Sequence, residues 1–410
     1  MTCQAPLSAV DFHSVVFSLL YKPPLEWDWK KGRAVWVRSI WDAPIWTILF
    51  FGLEIIVIQL FCNYLLICKF VSPERSTMST FQSIVQGMLV MVSLGQGLIF
   101  YLFWFYWSDW KLGLGQLIEL LERLKKKYPV TSQGKPGKHS FLIFTFMSVD
   151  LITIFGIILG TPVGILLKVD PIHHIIAAIS PANYASSLGL QIWIAVSIRI
   201  PICTIIALDI ARCWIYIAMI YVVGSKIFLR YLHLIEQPYR HERFFAVATR
   251  KKLGDSITSY REILVLLKII HYALMTLSSC GISFLAMTVV AVNYLSIKMH
   301  HVIPGIVLYF GFPVLLVCAL WLPYHTLPEC GEFAMISTEL LRKWRLRGGG
   351  IGYGGKGKSI AMRLRSLLVN YFKFGMGQFV MLNITRGTKG RYHKVIIDYT
   401  ISALLFKLKV

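Results

Sequence analysis

The sequence is poor in charge. Asp, Glu, Lys and Arg make up 15% of it, where a soluble domain carries about 25%. Acidic residues are the scarcest, 20 against 42 Lys+Arg, leaving a formal net charge of +22. Eight cysteines are present, but no two form a CxxC pair. Cys62, Cys203, Cys213, Cys280 and Cys318 sit inside apolar runs, which argues against a disulfide framework or a zinc site. Motifs of catalysis are missing: no HExxH, no GxSxG and no repeated carboxylate pair, which argues against an enzyme. No basic segment precedes Phe12–Tyr21, itself too short and polar for a signal-peptide core, so no cleavable leader is expected.

What is abundant is apolar sequence: 56% hydrophobic residues at a mean hydropathy of +0.63. A length of 410 residues would suggest about three soluble domains. The apolar residues instead come in runs long enough to answer to lipid. Seven such runs stand at 43–68, 80–108, 141–168, 189–223, 270–297, 302–327 and 393–408. The chain therefore reads as an all-α integral membrane protein with seven transmembrane helices. The fourth run, 35 residues long, would reach about 52 Å as a helix. A hydrocarbon core is about 30 Å, so one end must project. The seventh is the shortest and barely spans.

Basic residues set the orientation. Segment 1–42 and the connections 109–140, 224–269 and 328–392 together hold 33 Lys+Arg; the connections 69–79, 169–188 and 298–301 hold 3. This predicts a cytoplasmic N-terminus and an extracellular C-terminus. The positive charge then becomes a coat facing anionic lipid rather than a nucleic-acid surface. Trp27, Trp29, Trp36, Trp41 and Trp46 before the first span, and Trp104, Trp107 and Trp110 after the second, read as interfacial anchors. The sequon Asn383-Ile384-Thr385 would be cytoplasmic and silent.

Helical spacing continues beyond the spans. Leu112–Tyr128 reads as a helix prolonging span two or three, and Ile227–Leu267 carries span four out and back to span five. Met335–Phe374 does the same before span seven. These extensions at 109–140, 224–269 and 328–392 make either a cytoplasmic anchor bundle or three separate surface helices. The region 328–392 contains a glycine-rich stretch, 348–359. Gly352, Gly357, Lys358 and Ser359 match a phosphate-loop spacing, and Gly350, Gly352 and Gly355 a dinucleotide fingerprint. The preceding Leu340–Arg347 is a basic helical run with no βαβ unit around it, so a linker is the expected reading and no cofactor is implied.

Charges inside spans are costly and face a partner or water. Glu54, Asp150, Arg199, Asp209 and Arg212 are the candidates for a ligand pocket or its coupling path. Asp209 and Arg212, three apart, share a helix face and could simply pair. His173–His174 and His300–His301 could bind metal or sense pH, although adjacent histidines point apart.

The inside N-terminus, the basic inner loops and the short tail, together with the C-terminal residues, resemble the arthropod gustatory and odorant receptor superfamily. Phe374-Gly375-Met376-Gly377-Gln378-Phe379 is similar to its glycine–aromatic segment before the last helix. Asp398-Tyr399-Thr400-Ile401-Ser402-Ala403-Leu404-Leu405-Phe406 is similar to its signature of Thr-Tyr, five hydrophobic residues and Gln-Phe. Asp398 stands where Thr is usual and Leu405 where Gln is usual, and Ser402 interrupts the hydrophobic five, as in a divergent gustatory-like member. The resemblance implies a ligand-gated, non-selective cation channel in the plasma membrane of sensory neurons. Its four subunits, alike or related, are held by cytoplasmic helices, with the last helix, 393–410, lining the pore and a tastant or odorant bound in the helical bundle 43–327.

On that helix Asp398, Ser402, Leu405 and Lys409 share a stripe. If Tyr399 and Phe406 pack sideways, the stripe faces the pore. Four Asp398 would ring it and Leu405 would form an apolar constriction. The alternative is that Asp398 only marks the start of the helix within the membrane, where a carboxylate suits a helix N-terminus. A G-protein-coupled receptor would need the opposite orientation and an NPxxY-type segment; a transporter would need substrate flux. An apolar bundle admits sugars, bitter compounds, fatty acids or volatiles alike.

Overall fold

A computed structural model of the chain describes residues 4–17, 21, 25–28, 33–36, 42–72, 78–127, 137–179, 187–236, 248–349 and 355–406. It is helical apart from two short hairpins. Helix α1 is Gln4–Phe17 and α2 is Pro44–Val71. Then come α3 (Thr80–Phe105), α4 (Trp107–Lys127), α5 (Gly137–Leu166) and α6 (Pro171–Ile179). Helix α7 runs through Leu188–Ile194, Ala195–Arg199 and Ile200–Glu236. Helix α8 is Ala248–Lys298, α9 is Phe312–Gly349 with the preceding turn Val307–Gly311, α10 is Gly355–Arg365 and α11 is Thr388–Leu405. Strands β1 (Leu25–Asp28) and β2 (Arg33–Trp36) pair antiparallel, as do β3 (Lys373–Met376) and β4 (Phe379–Asn383).

Among the described residues, six helices are long and apolar enough to cross a membrane. They correspond to the first six runs of the sequence. The seventh, α11, starts ahead of the expected residue 393 and carries Lys389, Arg391, Lys394 and Asp398, so its apolar part is short. Lys409 lies outside the described residues.

Contacts divide the chain into two compact units, residues 1–100 with 134–220, and residues 101–133 with 221–410. The first unit has the inverted polarity of a membrane bundle. Gln86, Ser93, Gln96 and Asp150 are buried, while Leu60, Phe70, Phe155, Leu159 and Trp193 are exposed. Lipid tails are as apolar as leucine, so burying leucine gains little there, and polar contacts specify the packing. Its apolar contacts gather Ile58, Cys62, Val90, Ile206 and Ile210. A second cluster holds Ala43, Trp46 and Phe50 against Phe100. Trp46 is thus a core residue stacked 4.8 Å from Phe50, and Trp110 is likewise buried. Neither anchors an interface. Trp29 and Trp41 lie outside the described residues.

The second unit joins the expected extensions. Phe228, Phe333 and Phe372 form an aromatic trio with centroids 4.9–6.1 Å apart. Ion pairs tie Lys226 to Glu329 at 3.1 Å and Lys343 to Glu236 at 2.7 Å. A buried node links α8, α9 and the segment before β3: the Tyr260 and Ser337 hydroxyls lie 2.6 Å apart, and Asn370 N donates to Ser337 Oγ at 2.9 Å. Ser337→Ala leaves that buried N–H without its acceptor. It is expected to cost about 1–3 kcal/mol, read as a lower melting temperature of detergent-purified protein.

The glycine-rich stretch differs from a plain linker. Gly348 and Gly349 end α9, and Gly355–Ser359 begin α10; 350–354 lie outside the described residues. Gly357, Lys358 and Ser359 are inside a helix, and the described element next before it is the helix α9, not a strand. Among the described residues the strand–loop–helix geometry of a phosphate cradle is therefore not seen.

Candidate functional site

The candidate residues fall into three buried polar clusters in the first unit and one exposed face in the second. Two of the clusters sit on π-helical stretches, Leu49–Cys62 and Ala195–Arg199. Such wider turns are frequent at functional sites because they displace side chains from α-helical register.

The first cluster joins Glu54, Asp209 and Arg212, which the sequence singled out separately. Arg212 Nη2 donates to Asp209 Oδ1 at 2.6 Å, so the local pairing expected from their spacing forms. Arg212 Nη1 also donates to the carbonyl of Tyr21 at 2.9 Å, and its guanidinium lies 5.0 Å from the Tyr21 ring centre. From α3, Gln96 Nε2 donates to Glu54 Oε1 at 3.1 Å. The Glu54 and Asp209 carboxyls interact across the cluster. Glu54, Gln96, Asp209 and Arg212 are each at most 6% exposed. Burial, then the neighbouring Asp209, pushes the Tyr21 phenol well above its ordinary range, so it stays a neutral hydroxyl.

The second cluster pairs Asp150 of α5 with His13 of α1, Nδ1 to Oδ1 at 3.0 Å. The third is an ion pair of Arg199 with Asp170, in which Arg199 Nε donates to Asp170 Oδ1 at 3.1 Å and Nη2 donates to Oδ2. Arg199 Nη2 also reaches the carbonyl of Ile165 at 3.2 Å. A local reversal places Asp170 there. Lys168 takes the left-handed conformation, φ 55°, and the chain turns back from α5 into α6. Gln82 and Gln86 of α3 donate to the freed carbonyls of Lys168 and Val169. Asp170 Oδ1 also accepts from His173 N at 2.9 Å, capping α6. His173 and His174, expected to point apart, instead meet edge to face, their ring centres 5.3 Å apart and inclined at 72°. Among the described residues no group of three His, Cys, Asp or Glu side chains could hold a metal.

In the second unit, α11 packs one side inward. Tyr392, Ile396 and Thr400 are its buried residues. At about 100° per residue, Asp398 and Leu405 lie almost opposite Ile396, with Ser402 beside them. Asp398, Tyr399, Ser402, Leu405 and Phe406 are all exposed. The sideways packing considered for Tyr399 and Phe406 does not occur within this chain: they are 65% and 66% exposed. Both ends of the helix are tethered. The Lys389 ammonium lies 3.5 Å from the ring centre of Tyr324. Lys298 Nζ donates to the carbonyl of Leu404 at 3.1 Å.

Sequence reading missed His13, Tyr21, Gln96 and Asp170. Gln96 had a signal: with Gln82, Gln86 and Ser93 it forms one polar face of α3 at helical spacing. Asp170 before Pro171 signalled a helix cap but not its cation.

No protein-family model matches the chain, and no curated protein matches it. Solved structures do. The structure of the insect olfactory receptor OR5 from Machilis hrabei in complex with eugenol aligns over 97% of this chain and 97% of its own, at 12% identity and a TM-score of 0.55. A second structure of that receptor aligns over the same shares at 13% identity and a TM-score of 0.46. From the first, this chain has the all-α fold of an insect olfactory receptor.

Proposed function

We propose that the chain is a chemosensory receptor of the insect odorant and gustatory superfamily: a ligand-gated, non-selective cation channel whose four subunits each place α11 at a central pore. The observation that carries this is the shape of α11 in a chain of that fold. Its buried side holds it to its own subunit, and the other leaves Asp398, Ser402 and Leu405 exposed in a line among the described residues. Four such faces around an axis give a carboxylate ring beneath an apolar constriction, an arrangement that favours cations and gates by dewetting. Tyr399 and Phe406, on the flank of that line, become contacts to the neighbouring subunit. The helices and loops of 224–269 and 328–392 form the anchor beneath the membrane. The N-terminus is cytoplasmic, and a glycan on Asn383 would reverse that orientation. The activating ligand is a small, largely apolar molecule of the eugenol kind, received in the transmembrane bundle.

The test is expression in a non-sensory cell and recording from excised patches without nucleotides, against an odorant and tastant panel that includes eugenol. Ligand-evoked cation current supports the reading; a response that needs cytosolic nucleotides or G protein overturns it. In the conducting channel, Asp398→Asn removes the ring of four charges. It should lower divalent relative to monovalent cation permeability by about threefold or more, measured from reversal potentials. Unchanged ratios would place Asp398 off the conduction path.

A further inference from the structure

The Glu54–Asp209–Arg212 cluster of the first unit is short of positive charge. With both carboxyls ionised, Glu54 and Asp209 would bring two negative charges against the one guanidinium of Arg212, so either a proton or a bound cation must supply the missing positive charge. An uncompensated charge there is expensive. Hydrogen-bond donors are short too. Glu54 Oε2, Gln96 Oε1 and Asp209 Oδ2 are buried and make no hydrogen bond of normal geometry among the described residues, and the buried Tyr21 hydroxyl interacts with Asp209 without completing one. Gln96 is fully buried and Glu54 is 2% exposed. Their bond orients the amide, Nε2 onto Glu54 Oε1, and this holds Oε1 of Gln96 at the same cluster. The bonds Arg212 makes go elsewhere. Its two terminal nitrogens are directed to Asp209 Oδ1 and the Tyr21 carbonyl.

We propose that this cluster is a binding site for one sodium-sized monovalent cation. Its ligands are Glu54 Oε2, Asp209 Oδ2, Gln96 Oε1 and the Tyr21 hydroxyl. All four are hard oxygen donors, the kind that small hard cations select. One unit of positive charge closes the deficit, whereas a divalent ion would leave an excess. A water molecule could donate to two of the oxygens but would leave the charge uncompensated. The site draws its ligands from α2, α3, α7 and the segment before α2. An ion bound there would lock these helices together, independently of what passes through a pore.

The test is made on the full-length protein in phosphatidylcholine nanodiscs. Its melting temperature is followed as N-methylglucamine chloride is replaced by sodium chloride at constant ionic strength. The melting temperature should rise and saturate with sodium. Glu54→Gln and Tyr21→Phe, which each keep shape but remove a ligand, should raise the sodium midpoint about tenfold or more. Identical melting in the two salts overturns the site. So does a rise that potassium and choline produce equally, which is a general salt effect. So does stability that follows pH without sodium, because then a shared proton fills the role. If Glu54→Gln fails to fold, the titration of the unmodified protein still decides. Because no current is measured, a protein that binds sodium without conducting leaves the site intact and counts only against the channel.

Discussion

Asp170→Asn is expected to be the most damaging single change in the first unit, lowering stability by about 3–5 kcal/mol. The cost comes from what remains. Arg199 is 4% exposed, and without the Asp170 carboxylate its guanidinium would be a buried cation whose bond to the carbonyl of Ile165 supplies no opposite charge. Asn keeps an oxygen that can accept from His173 N and cap α6, so the loss reports the ion pair rather than the cap. Fluorescence-detected size exclusion after heating would read the loss as an earlier collapse of the monodisperse peak. Arg199→Met with Asp170→Leu should recover much of it, since an apolar pair of similar volume restores no charge but leaves none unpaired. A double variant as unstable as Asp170→Asn alone would mean that losing the cap, which leucine cannot make, costs as much as losing the ion pair.

Gly375→Ala is expected to be the largest local effect in the second unit. A Cβ at Gly375 would stand 2.0 Å from the carbonyl oxygen of Phe379 and 3.0 Å from Val380 Cα. Both are backbone, so neither can swing away. The β3–β4 hairpin would have to splay. That would draw Gly375 N from the Ser279 hydroxyl and Gly377 N from the Thr276 hydroxyl, the two bonds that hold the hairpin turn on α8. Gly377 itself sits at φ 56° in the turn, a conformation glycine takes without strain. The cost should be about 1–3 kcal/mol or more, with new protease sensitivity within 373–383. Gly390→Ala is the control. Its Cβ meets nothing within 4 Å, and in a helix it should stabilise by about 0.5–1 kcal/mol. Equal behaviour of the two variants would refute the steric account.

The first six spans were legible because lipid imposes length and apolarity on any helix that crosses it. The Asp209–Arg212 pair was legible because a spacing of three is a local rule. The partners of Asp150 and Arg199 were not. His13 lies 137 residues from Asp150, and Asp170 lies 29 from Arg199, and nothing in a one-dimensional pattern links them. Asp170 was also hidden by its position, in a connection notable only for lacking Lys and Arg. The hairpin 373–383 was read as a segment leading to a helix. Its glycines were noticed, but not the alternation Phe379, Met381 that leaves two large apolar side chains exposed. The π-helical turns under Glu54 and Arg199 left no trace that residue type alone could show.

Helix α8 has 51 residues without a break. At about 1.5 Å per residue it is about 76 Å long, more than twice the thickness of a hydrocarbon core. A rod of that length works as a lever. If it pivots by about 5° about its Ala248 end, the Lys298 tip sweeps about 7 Å, more than one helical turn. The two contacts that matter for that motion sit at different distances from any fulcrum. Lys298 grips the carbonyl of Leu404 at one tip, while Ser279 and Thr276 hold the hairpin nearer the middle. About that pivot the same rotation displaces the end of α11 about 1.6 times as far as the hairpin that precedes it. The mechanical gain between them is fixed by chain length alone.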